Sequence, residues 1–238
     1  MIFSPSALKT FVQCPYKFKA QYIDKSIKWE QSESAKRGEQ LHALMETACN
    51  HGWDSVKWTD SVSEQYAKQF VGSVWKMKDA GWTVQTEVSL ATDGYGNALD
   101  FWDKEPQNFL RCRVDLMATH PEKDLVIIYD WKSGKAYDLD RLQLQVNAMC
   151  AVPVTNKTKY SVAFCYLDNG AVKSESIDVT NVTARESNPT VLANSPCVDA
   201  QNAINGALKA IEFSNYPQTK NRFCAWCQVK ECPYASKN

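Results

Sequence analysis

Apolar residues from Leu125 to Tyr129 run almost without a break and are rich in β-branched side chains, which predicts a strand buried on both faces. Upstream, the stretch opening at Arg113 reads as its partner strand, joined to it by a polar turn. The chain before this pair has helical periodicity. Ser4-Pro5-Ser6 opens a first helix, with serine as cap and proline in the first turn. Its apolar face, Leu8, Phe11, Val12 and Phe18, is interrupted at Cys14-Pro15. Further helices are expected from about Ser34 to Cys49, with Leu41, Leu44 and Met45 inward, and from Thr59 to Ala80, with Val62, Tyr66, Phe70, Val74 and Met77 inward. Thr83 to Leu90 alternates as a strand, placing Val84, Thr86, Val88 and Leu90 on one face and Gln85, Glu87 and Ser89 on the other. Beyond the turn-rich Asp93 to Asn97 and the central strand pair, a helix is expected from about Leu139 to Val152. A hairpin, Tyr160 to Leu167 and Ala171 to Val179, surrounds Asp168-Asn169-Gly170. A polar loop, Asn181 to Pro196, and a last helix, Val198 to Phe213, complete the order. That order predicts an α/β fold, a central mixed β-sheet flanked by helices, with all 238 residues in one domain.

Composition narrows this little. Hydrophobic residues are 44% of the chain, enough for a sizeable core, and the 27 basic residues balance 27 acidic ones. Any nucleic-acid surface must then be a local patch. The opening MIFSPSALKTF lacks the apolar core of a signal peptide, and no apolar run approaches the roughly 18 residues of a membrane span. The expectation is a cytoplasmic protein with no membrane partner.

The buried strand ends in Asp130-Trp131-Lys132-Ser133-Gly134, and Asp115 interrupts the apolar Val114-Asp115-Leu116-Met117 of its partner. Burying a carboxylate costs several kcal/mol unless a cation or hydrogen-bond donors compensate it. Asp130 and Lys132 share a parity, so both point to one face of the strand. Two carboxylates, a histidine (His42) and a lysine are the groups that metal-assisted phosphodiester hydrolysis requires. Oxygen and imidazole donors hold Mg²⁺ or Mn²⁺, and an ammonium group beside the attacking water stabilises developing charge.

These pieces together resemble the PD-(D/E)xK nuclease superfamily, in particular its RecB-like branch, which includes Cas4 and the AddB nuclease domain. Gly38-x-x-x-His42 resembles the first motif of that branch, Glu87 an acidic strand position after it, and Asp115 with Asp130-x-Lys132 the core. Gln143 stands where the branch has Q-x-x-x-Y, although Asn147 replaces the tyrosine. The residues before Asp115, Arg111-Cys112-Arg113, also lack the glycine common there. The resemblance implies a restriction-endonuclease-like core and a metal-dependent DNA exonuclease, phage-encoded or cellular and acting in the cytoplasm. It assigns His42, Asp115, Asp130 and the backbone carbonyl of Trp131 to the metal. Lys132 would assist the attacking water, Glu87 bind a second metal or position a water, and Gln143 contact substrate or hold Lys132.

Cys224, Cys227 and Cys232 lie within nine residues, and Cys14 sits in the N-terminal helix break, where its thiol is expected to be exposed. Spacing alone favours a structural zinc. The resemblance reverses this, implying a structural [4Fe–4S] cluster on these four thiols, in a lobe made from about residues 1–30 and 214–238. Cys49, Cys112, Cys150, Cys165 and Cys197 read as small buried hydrophobes. Lys9, Lys17, Lys19, Lys25 and Lys28, with Lys220 and Arg222, would flank a DNA path, and Tyr16 and Trp226 are candidates to stack on bases. Partners implied are DNA with single-stranded ends and a helicase, recombinase or CRISPR integrase. The readings left open are a subunit of a recombination, repair or CRISPR-adaptation complex, and a non-catalytic DNA-binding module with structural zinc.

Overall fold

A six-stranded sheet of order β2-β1-β3-β4-β5-β6 forms the middle layer of the computed structural model. The model describes residues 1–27, 32–94, 96–103, 109–134, 140–180 and 196–235. Strands β1 (Thr83–Thr92), β2 (Ala98–Leu99), β3 (Leu110–Thr119) and β4 (Val126–Lys132) pair antiparallel. β4 and β5 (Lys159–Tyr166) are parallel, linked by helix α5 (Arg141–Thr155), and β6 (Val172–Asp178) returns antiparallel. The sheet is mixed, as expected, and the parallel step is the one connection long enough to need a crossover helix.

Helices cover both faces. α1 (Pro5–Gln13), α5 and α6 (Val198–Glu212) pack on one, around Leu8, Val114, Leu144, Phe164 and Ile204. α3 (Glu33–His51) and α4 (Ser61–Asp79) cover the other, around Met45, Val71, Leu116 and Trp131. The expected cap holds, with Ser4 accepting from the Ala7 amide, and Asp60 caps α4 by accepting from Val62 and Ser63. Between α1 and α3 lie the short helix α2 (Pro15–Phe18) and a π-helical turn, Lys19–Ile23.

Several expectations need correction. Val62 is exposed, and the inward face of α4 is Ser63, Ala67, Val71 and Val74. Val84 packs against the α3/α4 side while Val88 and Leu90 pack against the α1/α5/α6 side, so β1 does not keep one apolar face. Cys14 is buried rather than exposed. The five scattered cysteines are buried as expected. Lys28, Tyr95, Leu139 and the expected loop from Asn181 to Ser195 lie outside the described residues.

The two ends of the chain meet. Tyr16 donates its amide to the Pro217 carbonyl at 3.3 Å, and Asn221 Nδ2 donates to the Gln13 carbonyl at 3.0 Å. Ala20, Val229, Cys232 and Ala235 form a small apolar cluster there, flanked by Tyr16 and Ile27.

Candidate active site

Strand register puts three carboxylates in one row. The β1–β3 ladder pairs Thr86 with Leu116 and resumes with Val88 opposite Val114, so Glu87 stands opposite Asp115. The β3–β4 ladder ends at Leu116 opposite Tyr129, so Asp130 is the residue next in register with Asp115. Both ladders lapse at this row. Glu87 has φ +49°, a left-handed conformation that costs a non-glycine residue on the order of 1–3 kcal/mol. Here the strands also exchange faces: Val114 packs against the α1/α5/α6 side and Leu116 against the α3/α4 side. Like charges opposite one another across strands repel, so this row needs a cation.

Helix α3 brings in His42. Its Nδ1 lies 3.2 Å from Asp115 Oδ1, and donor atoms of His42, Glu87 and Asp115 all lie within 4.8 Å of one another. The other Asp115 oxygen accepts the Trp131 amide at 2.6 Å, which orients the carboxylate. Burial and then the charge of Asp115 raise the Glu87 carboxyl above its ordinary value. Burial opposes charge on His42, but its hydrogen bond to Asp115 and the nearby carboxylates outweigh this and raise its pKa. An imidazole with two carboxylates is a donor set that could hold a divalent metal ion.

Asp130 faces a different set of groups. Lys132 Nζ lies 2.5 Å from Asp130 Oδ1 as an ion pair, yet off the hydrogen-bonding direction, which leaves that buried oxygen without a hydrogen-bond donor. Gln143, at the start of α5, donates to Asp130 Oδ2 and accepts from Lys132 at 3.3 Å. The ammonium group also sits 4.7 Å from the Phe164 ring centroid. Burial pushes the Asp130 carboxyl up to about 6, Lys132 pulling it down and Asp115 adding to the rise. Asp130 is outside the tight His42/Glu87/Asp115 group, with one oxygen against Lys132 and the other against Gln143.

Sequence reading missed the scaffold behind this row. Arg37 Nη2 reaches Asp60 Oδ2 at 2.6 Å and Asp168 Oδ1 at 2.7 Å, and Asp168 Oδ2 accepts the Gly134 amide at 2.6 Å. Ser63, buried on α4, donates to Asp168 Oδ1 at 2.8 Å. Arg37 thus ties α3, the cap of α4, the β5–β6 turn and the end of the Asp130-Trp131-Lys132 strand together. The available signals were Asp60 near a helix start, which sequence reading did not single out, and Asp168, which it read only as part of the Asp-Asn-Gly turn. Asn147, the residue in place of the tyrosine, is fully buried with neither amide atom partnered among the described residues.

Cys14, Cys224, Cys227 and Cys232 line one cleft where the chain ends meet, with Gln13, Tyr16 and Asn221. Among the described residues no three of these thiols lie within 4.8 Å of one another. Four thiolates around one zinc at about 2.3 Å would stand nearer than that. The Asn221 amide donates to Cys224 Sγ at 3.3 Å.

A family model described as the PD-(D/E)XK nuclease superfamily matches residues 2–232. The crystal structure of SSO0001 is similar at a TM-score of 0.52 and 14% identity, over 99% of this chain and 87% of that one, a likeness of fold alone. No curated protein matches the chain in sequence.

Proposed function

The chain belongs to the PD-(D/E)XK nuclease superfamily, and from that premise we propose that it is a Mg²⁺- or Mn²⁺-dependent DNA exonuclease of the Cas4-like kind with a structural [4Fe–4S] cluster. The observation that carries the reading is the row Glu87–Asp115–Asp130, with His42 on one side and Lys132 on the other. His42, Asp115 and Asp130, with the Trp131 carbonyl, would hold the metal, and Glu87 is close enough to share it or to take a second ion. The metal, when bound, polarises a phosphate oxygen and lowers the pKa of a coordinated water.

The protein's own groups do the rest. The Trp131 amide fixes Asp115, and Gln143 holds both Asp130 and Lys132 in place. Lys132, held beside Asp130 and Gln143, would act on an attacking water and a scissile phosphate. There it stabilises the developing negative charge. Purified protein is expected to degrade DNA with Mn²⁺ or Mg²⁺, and Lys132→Ala to lose at least about a hundredfold. Undiminished cleavage in that variant would sink the assignment.

Four cysteines lining one cleft where the chain ends meet support a [4Fe–4S] cluster that ties those ends together. An amide donor on Cys224 Sγ is in keeping with ligated thiolate. Anaerobically purified protein is expected to be brown, with broad visible absorbance lost in Cys227→Ser. A colourless protein containing zinc refutes the cluster and leaves the nuclease assignment standing.

A further inference from the structure

The chain carries no net charge, yet its charge is segregated. The described terminal segments, residues 1–27 and 214–235, hold Lys9, Lys17, Lys19, Lys25, Lys220, Arg222 and Lys230 against Asp24 and Glu231 alone. Lys9 and Lys19 are engaged with Asp140 and Asp24. No carboxylate among the described residues lies in ion-pair range of the other five. Aromatic exposure is concentrated here too. Phe223, Trp226 and Tyr234 are exposed, Trp226 to 79%, and in the rest of the described chain the exposed rings are Trp102 and Phe213, which directly precedes the C-terminal segment.

Two of these rings share an edge. Phe223 caps the 3₁₀ turn Cys224–Trp226, and the Trp226 amide donates to the Phe223 carbonyl at 3.1 Å. Residues three apart in such a turn eclipse one another, with a rise of about 6 Å between them. Arg222 covers the Phe223 ring at 4.9 Å. The result is two neighbouring π-faces with a guanidinium beside them and Lys220 and Lys230 close in sequence. At 79% exposure the Trp226 ring is largely uncovered by the described residues.

From this we infer that the face of Phe223, Trp226 and Arg222 is a stacking platform for single-stranded DNA, which takes unpaired bases on the rings and phosphates on the cations. The occupant follows from the chemistry: exposed π-faces next to unpaired positive charge suit a polyanion whose bases are free to stack. The platform also communicates with the catalytic row. The terminal segments join through Asn221 and Gln13 at the end of α1, Lys9 of α1 pairs with Asp140, and Asp140 caps the helix that carries Gln143. This rests on the nuclease reading for its role, but not for its binding.

The test is fluorescence anisotropy of a labelled oligothymidylate with the intact protein and EDTA, so that no cleavage intervenes. Trp226→Ala is expected to weaken binding about tenfold, Trp226→Phe to restore most of it, and binding of a blunt duplex to change little. Arg222→Ala is expected to lower the dependence of affinity on salt. Because Trp226 is exposed, visible absorbance and circular dichroism should be unchanged. An unchanged affinity in Trp226→Ala overturns the platform and leaves the face to a protein partner, whatever the cleavage assay gives. Weakened binding in a wild-type background that cuts no DNA upholds the platform and removes the nuclease reading instead.

Discussion

A methyl group on Gly38 would sit 3.3 Å from Ser133 Oγ, so the first motif glycine marks where α3 touches the turn that ends the Asp130-Trp131-Lys132 strand. This glycine lies inside a helix, where alanine is favoured by up to about 1 kcal/mol. Gly38→Ala is therefore expected to leave thermal stability unchanged within that amount, because the helix gain and the close contact oppose each other. Cleavage should still fall, since the contact pushes on Ser133, the residue directly after Lys132. Combining it with Ser133→Ala, which removes the opposing oxygen, is expected to restore activity. Additive losses in the double-mutant cycle would show that the contact is not the cause.

The Arg37 network gives a pH dependence with a definite sign. Hydrogen bonds and charge from Arg37 hold both Asp168 and Asp60 below their ordinary value of 3.8. Groups with lowered folded-state pKa values contribute stability that is present above the unfolded value and lost as pH falls through the folded one. The wild type should therefore lose stability from about pH 4 downward, and more steeply than Arg37→Leu, whose carboxylates no longer have that partner. At pH 7 the substitution is expected to cost about 1–2 kcal/mol, discounted because the Arg37 side chain remains 39% exposed. Acid titrations of the two proteins by circular dichroism check this, and curves of equal steepness below about pH 4 would refute the network's role.

Most of the fold was legible because its signals are local. Ser4-Pro5 and the Asp-Asn-Gly turn act through neighbouring backbone, and the apolar run before Asp130 has one reasonable use. Asp115 was legible as a carboxylate out of place in an apolar strand. What was not legible depends on register and on small residues. Nothing in the sequence says that Glu87, Asp115 and Asp130 fall in one row, because a row is a property of three strands at once. The inward face of α4 was misread because Ser63 and Ala67 are small, and Ser63 is buried by its bond to Asp168 rather than by hydrophobicity. Val62, larger and more apolar, was left outside.

Asn147 offers a stability test separate from catalysis. Its amide is fully buried and neither polar atom has a partner among the described residues, a cost of about 1–3 kcal/mol. Asn147→Leu, close to isosteric, is expected to raise stability by about 1–2 kcal/mol while leaving DNA affinity and cleavage unchanged. A stability loss on denaturant unfolding would mean that the amide is satisfied by a buried water, which leucine would displace.

Glu87 allows backbone strain and metal binding to be separated at one position. In an ordinary strand, glycine is worse than alanine by about 0.5–1 kcal/mol, because it loses more conformational freedom on folding. At φ +49° the order should reverse, since alanine keeps the strain of a left-handed residue and glycine does not. Glu87→Gly is therefore expected to be more stable than Glu87→Ala by about 1 kcal/mol in metal-free protein. Both variants also lose the carboxylate that repels Asp115. With Mn²⁺ the ranking against wild type should change: wild type gains the free energy of metal binding and both variants gain less. Thermal unfolding with EDTA and with excess Mn²⁺ measures the two effects side by side. Alanine matching glycine in EDTA would remove the strain argument, and equal Mn²⁺ shifts in all three proteins would remove Glu87 from the metal site.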